Sequence, residues 1–559
     1  MGKINAPVRE QQTAVEPARR MTGGQALVEM LKREGVDTIF GLPGVQLDGF
    51  FSALYDARDD IRVIHTRHEQ ATAYMADGYA RSTGKLGVCL VVPGPGLLNA
   101  TGALSTAYAT NSPVLCITGQ IQSDMIGVGR GLLHEIPNQL EMVRSVTKSS
   151  ERAMTPAEIP GVFANAIREL RTGRPRPVEI EVPPDIFFAE GDVSLVSTLT
   201  ERERPAGDPV LIDAAAKALA GAKFPIIYAG GGIQRGEATA ELLELAELLQ
   251  APVVMSTNGK GSISDRHPLA FSQHAATKVQ GDADVLFGVG TRFLDINNGP
   301  RVAKPGQTTI HLDIDPEELG RNFTADIQIE GDVKTGLQAI IDEVKRRQSA
   351  VRPSRTAEFK AIKDDSFALI STIQPQAGFA AAIRQEVPDD GILIQEMTQV
   401  SYFSHMGGMQ VYEPNTYIGP GYQGTLGFGF CTALGAKVGN PDKVVVSING
   451  DGGFGFTLNE LATMAQHDIA AIAVVFNDSA YGNVKRIQEV DLGGKVIASN
   501  LQNPDYLKLA DAFGVVGRRT DSPKGLQTAI EESIKANEPT LIEIPVGQMP
   551  NPWKLLGLR

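Results

Sequence analysis

Short, almost wholly apolar runs recur along this chain, separated by longer stretches in which apolar residues return every third or fourth position. The first kind predicts buried strands and the second predicts helices that cover them. From Thr22 to Pro184 the strand-like runs read TIFGL, VIHTRH, GVCLVV, PVLCITG and PVEIEVP. A second set over about 210–344 reads PIIYAGGGI, PVVMSTNGKGS, VLFGVG and TIHLDID. A third over about 374–546 reads ILIQEM, VVVSING, IAAIAVVFND and TLIEIPV. Strand and helix alternating in this way predict an α/β fold of three doubly wound parallel-sheet domains. The runs place a first domain over 22–190, a central domain over 205–345 and a third over 372–548. Residues 1–21 read as a disordered polar tail, and the polar stretches Gly191–Pro209 and Lys345–Phe359 read as linkers.

Composition narrows the function classes more than the fold. A length of 559 residues suits about three domains. Hydrophobic residues make up 42% and charged residues 21%, the balance of a globular protein. A net charge of −13 disfavours nucleic acid as a partner and leaves a small-molecule substrate as the expected ligand. No apolar run reaches the roughly 18 residues a membrane-spanning helix needs, so no membrane partner is expected. The N-terminal segment lacks the apolar core of a secretory signal. Cys89, Cys116 and Cys431 share no ligand spacing and read as buried thiols of a reducing, cytoplasmic setting.

Candidate chemistry begins at Gly450-Asp451-Gly452 and Asn477-Asp478. A strand over Val444–Ile448 leads into the first group, and a second strand over Ala471–Phe476 ends on the other. Carboxylates at the carboxyl ends of two strands in one α/β unit meet where open α/β sheets bind ligands. Oxygen donors of this kind suit Mg²⁺, and the glycines beside Asp451 let backbone N–H groups approach a phosphate. A turn aspartate plus a helix-capping aspartate is the plainer alternative.

A second group, Arg67-His68-Glu69-Gln70, ends a predicted strand before a helix over Ala71–Ser82, and Gly424-Thr425-Leu426-Gly427-Phe428-Gly429 precedes another helix. Taken alone, Glu69 is a helix cap and Leu426 a core leucine.

In their order and spacing these three groups resemble thiamine diphosphate enzymes, and the three-domain series resembles the acetolactate synthase and pyruvate oxidase group, most of all the acetolactate synthase catalytic subunit. The resemblance implies thiamine diphosphate and Mg²⁺ as cofactors. It implies that Glu69 hydrogen-bonds the aminopyrimidine, in a largely apolar pocket that raises its pKa. Leu426 would bend the cofactor. Asp451, Asp478 and the carbonyl of Ala480 would hold the metal, with Asp478 standing where the family often has Asn. Pro43, Pro95 and Asn99 would line the pyrimidine side. Thr398, Gln399, Gly424, Gly452, Gly453, Tyr481, Gly482 and Asn483 would line the diphosphate side. Glu69 and Asp451 would then serve one cofactor between two chains, as a homodimer or homotetramer.

Several positions depart from that family. His134 stands where the family carries glutamine, and either moves protons during turnover or only hydrogen-bonds the substrate or its loop. Asn483 replaces an apolar residue and either faces the substrate or is a surface asparagine. Arg292 corresponds to an arginine that holds an acceptor carboxylate, or else makes a structural ion pair. Gly230-Gly231-Gly232 lacks the GxGxxG spacing, and the segment Phe271–Gly281 is short, which argues against FAD in the central domain. The expected activity is carbon–carbon bond formation or cleavage on 2-oxo acids, led by acetolactate synthase-like carboligation. Alternatives are a 2-oxo acid decarboxylase or 2-hydroxyacyl lyase, and a flavin-dependent 2-oxo acid oxidase.

Overall fold

A computed structural model describes residues 16–556 apart from 199–203, 296–298, 301–303 and 349. Three six-stranded parallel sheets carry the fold. In spatial order the first holds Arg62–His65, Thr38–Gly41, Gly87–Val91, Val114–Gly119, Val178–Val182 and Ser149–Arg152. The second holds Ala270–Phe271, Val253–Met255, Pro225–Ala229, Val285–Val289, Thr308–Asp313 and Ile327–Glu330. The third holds Tyr417–Ile418, Ile392–Gln395, Val445–Gly450, Ile472–Asn477, Thr540–Pro545 and Val516–Arg519. Interior strands such as Gly87–Val91 and Val285–Val289 are buried at every residue, which is why they read as unbroken apolar runs.

In each sheet chain order reverses beside a motif, and in the first and third it reverses again at the far edge. In the first sheet the reversal beside the motif falls between Thr38–Gly41 and Gly87–Val91, whose carboxyl ends lead to Pro43 and Pro95. In the second it falls between Pro225–Ala229 and Val285–Val289, leading to Gly230-Gly231-Gly232 and Arg292. In the third it falls between Ile392–Gln395 and Val445–Gly450, leading to Thr398 and Asp451. Helices on the two sides diverge at such points and leave a crevice.

Helix Glu69–Thr83 of the first domain packs along helix Phe428–Gly439 of the third. A Cβ on Gly78 would overlap the Thr432 carbonyl, and one on Gly435 would overlap the Met75 carbonyl. Both positions therefore require glycine for the backbones to approach. Met75, Ala76, Ala433 and Leu434 belong to one apolar core shared by the two domains.

The sequence expectations are corrected in three places. Arg19–Thr22 pairs antiparallel with Glu190–Val193, so Arg19, Arg20 and Met21 belong to the fold, as does the start of the expected first linker. Residues 1–15 of the expected tail lie outside the described residues. The expected second linker runs into helix Thr356–Ile370, whose Phe359 is buried against Phe224 and Phe271 of the central domain. Glu69 begins a helix instead of ending a strand, because the strand stops at His65 and His68 caps the helix through the Gln70 N–H.

Candidate active site

The crevice of the third domain is a cavity of about 290 Å³. Its wall includes Thr398, Gln399, Gly424, Leu426, Asp451, Gly452 and Gly453. Asp478, Ala480, Tyr481, Gly482 and Asn483 complete the expected set on the far side.

Asp451 is 2% exposed and opens the short helix Asp451–Phe454. Asn503 donates to its Oδ2 at 2.6 Å and to Asn477 Oδ1 at 2.9 Å. Asn477 in turn donates to Glu543 Oε1 at 2.8 Å, so its amide is committed away from the cavity. Asp478 faces the cavity instead. Burial pushes its carboxyl up to about 7, and the charge of Asp451 adds to the rise. Two carboxylates forced together in this way are short of positive charge, which a divalent cation supplies. The oxygens of Asp451, Asp478 and Ala480 form a hard-donor set that fits Mg²⁺.

Glu396 stands behind the wall and was missed as a site residue. It is 2% exposed and accepts the Gly427 N–H at 2.7 Å; the N–H groups of Gly429 and Gly450 also reach its carboxyl. A Cβ on Gly453 would overlap that carboxyl. A single buried side chain thus ties the Leu426 turn to the Asp451 turn. Burial pushes its pKa up to about 8. Asn503 was missed as well, because no motif surrounds it.

The first domain gathers a separate group. Glu69 is half-buried, not enclosed, and accepts from Asn99 Nδ2 at 3.0 Å. Pro43 and Pro95 are exposed at neighbouring strand ends. His134 adopts φ 69°, and its Nδ1 lies 3.0 Å from Gln46 Oε1. Gln46 also donates to the Leu133 carbonyl at 3.1 Å. None of these residues lines the cavity at Asp451, whose described wall comes wholly from the third domain.

Arg292 lines a second cavity of about 330 Å³, together with Gly230, Gly231 and Gly232. The cleft that the sequence reading left without flavin is therefore a formed cavity. Arg292 donates to the Ala109 carbonyl at 3.0 Å and to Asn111 Oδ1 at 3.4 Å, and lies 3.8 Å from Glu318. It has both the ion-pair contact and the cavity face that the two readings of it required. All three cysteines are buried and free, as expected. Among the described residues, no helix is long and apolar enough to cross a membrane.

Comparison with known proteins covers all three domains. Residues 21–142 match the thiamine pyrophosphate enzyme N-terminal TPP binding domain, 212–340 the central domain and 397–544 the C-terminal TPP binding domain. A probable acetolactate synthase large subunit of Methanocaldococcus jannaschii is 35% identical over 94% of this chain and 92% of its own length. An acetolactate synthase of Arthrospira platensis is 31% identical over 96% of each chain. A probable 2-ketoarginine decarboxylase of Pseudomonas aeruginosa is 32% identical over 95% of each. Sheet order, cavity wall and these matches converge, and the chain belongs to the thiamine pyrophosphate enzymes, among relatives of the acetolactate synthase large subunit.

Proposed function

We propose that this is a cytoplasmic, thiamine diphosphate- and Mg²⁺-dependent carboligase that joins two 2-oxo acids. The first would lose CO₂, and its remaining acyl carbon would bond to the carbonyl carbon of the second. One proton is taken up, giving a 2-hydroxy-3-oxo acid and CO₂. The observation that carries this reading is the pairing of Asp451 and Asp478 on a cavity that Leu426 also lines.

Bound thiamine diphosphate would supply the carbanion chemistry that a protein side chain lacks. Asp451, Asp478 and the Ala480 carbonyl would hold the Mg²⁺, and Gly452 and Gly453 would let backbone approach the diphosphate. Leu426 would pack against the bound cofactor. Glu69, steadied by Asn99, would hold a proton at the pyrimidine. His134, oriented by Gln46, would carry a proton beside the substrate.

We further propose that two copies of the chain complete each site. Glu69 does not line the cavity at Asp451 within one chain. Exposed apolar residues surround both halves: Leu98 and Leu133 near Glu69, and Val484 and Ile497 beyond Asp478. A second copy would cover them.

A decarboxylase reading is supported by the Pseudomonas relative named for that activity. In it the acyl group leaves as an aldehyde without coupling. The flavin-dependent oxidase reading predicts a yellow protein, which an absorbance spectrum tests. For the metal, exhaustive chelation should release thiamine diphosphate and abolish activity, and added Mg²⁺ should restore both. Cofactor still bound and active after chelation would sink the assignment of Asp451 and Asp478 as ligands.

A further inference from the structure

The two cavities meet at Met397, Tyr402 and Asn483, which line both. Behind Asn483, three residues on along helix Gly482–Val490, lies Arg486. Residues so spaced share a helix face. Arg486 is 9% exposed and donates to Asn483 Oδ1 at 2.9 Å. Its Nε is buried without a partner, and the hydrogen-bond partner of its guanidinium among the described residues is the neutral Asn483 amide. A guanidinium keeps its charge at any ordinary pH, and burying one without a counter-charge is unfavourable. That deficit calls for an anion.

The contact also fixes the asparagine. Arginine only donates, so the amide oxygen of Asn483 must face Arg486, and the amide N–H₂ is left for the cavity. Tyr402, the other polar residue at the junction, makes no hydrogen bond from its hydroxyl to any described residue. Burial raises that hydroxyl to about 12, while the nearby Arg486 charge opposes the rise. Two unfilled donors and one uncompensated cation therefore stand together. Arg292 differs: Glu318 lies 3.8 Å from it and Ala109 and Asn111 accept its N–H groups.

We propose that Arg486, acting through Asn483 and beside Tyr402, makes this junction the receptor for the carboxylate of the acceptor 2-oxo acid. The proposal rests on the ligation reading above. Arg486 is a positioning residue here, while Asn483 and Tyr402 touch the substrate.

The test compares acceptors in the reconstituted holoenzyme: a 2-oxo acid and an aldehyde, which lacks the carboxylate. Asn483→Asp gives Arg486 an internal counter-charge, so folding is not at risk. It should raise the ratio of kcat/KM for aldehyde over 2-oxo acid about tenfold or more, the worth of a charge-assisted hydrogen bond. Arg486→Lys keeps the charge and should move the ratio far less. An unchanged ratio in Asn483→Asp overturns the proposal. A wild-type enzyme that couples no acceptor refutes the ligation reading separately, and calorimetry with propanoate then decides this one. Binding by wild type and loss in Asn483→Asp support it, and equal binding, or none to wild type, overturns it.

Discussion

Burial holds a proton on Glu396 up to about pH 8, whereas an unfolded glutamate releases it near 4.5. Between those values the folded chain binds more protons than the unfolded chain, so this group's contribution to stability falls as pH rises. Glu396→Gln keeps the shape and an acceptor for Gly427 but has no proton to lose. The variant should therefore gain on wild type in urea-melting midpoint from pH 5 to 8. The gain should reach a few kcal/mol, because each tenfold difference in proton affinity between folded and unfolded chain is worth about 1.4 kcal/mol. A gap that stays constant across that window would contradict the buried, protonated carboxyl. Asp451, Asp478, Leu426 and Glu69 were readable in the sequence because each sits in a compact motif with its own spacing. Asn503 and Gln46 were not: they meet Asp451 and His134 across 52 and 88 residues of chain, and only tertiary packing makes those contacts.

Helix Glu69–Thr83 and helix Phe428–Gly439 join the first and third domains and carry Glu69 and the turn after Leu426 at their starts. Their contact leaves no room for a methyl group at Gly435. Gly435→Ala should cost about 1–3 kcal/mol of stability through overpacking, with thiamine diphosphate binding weakened as the helix starts shift. Gly161 lies exposed in helix Ile159–Arg171 with open space around it, so Gly161→Ala should instead stabilise by about 0.5–1 kcal/mol. Equal effects of the two substitutions on the denaturation midpoint would refute the close crossing. Apolar periodicity made the interior strands of all three sheets visible but passed over the edge strands Ser149–Arg152, Ala270–Phe271, Ile327–Glu330, Tyr417–Ile418 and Val516–Arg519. It overlooked Arg19–Thr22 and Glu190–Val193, an exposed two-stranded pair too polar to show a buried face. It also placed a linker where Phe359 anchors a helix on the central core.

Each of the three sheets reverses its strand order beside one of the site motifs, one plan repeated three times. A single chain nonetheless keeps Glu69 and Asp451 in separate walls. Two copies joined with sites between them predict that Glu69→Gln and Asp451→Asn chains, inactive alone, recover activity when mixed and refolded together. Random pairing of two such chains restores about a quarter of the sites, since half the dimers are mixed and each has one intact site. No recovery in mixtures shown to contain mixed dimers would mean that each site is built within one chain. The sequence resemblance implies this arrangement, but no spacing within a chain encodes an interface between copies. The claim on which the functional account depends is tested by incubating the purified protein with thiamine diphosphate, Mg²⁺ and a panel of 2-oxo acids, and identifying products by mass spectrometry. A carboligase yields CO₂ together with a coupled 2-hydroxy-3-oxo acid; CO₂ and free aldehyde alone, or no product from any member, would rule that activity out.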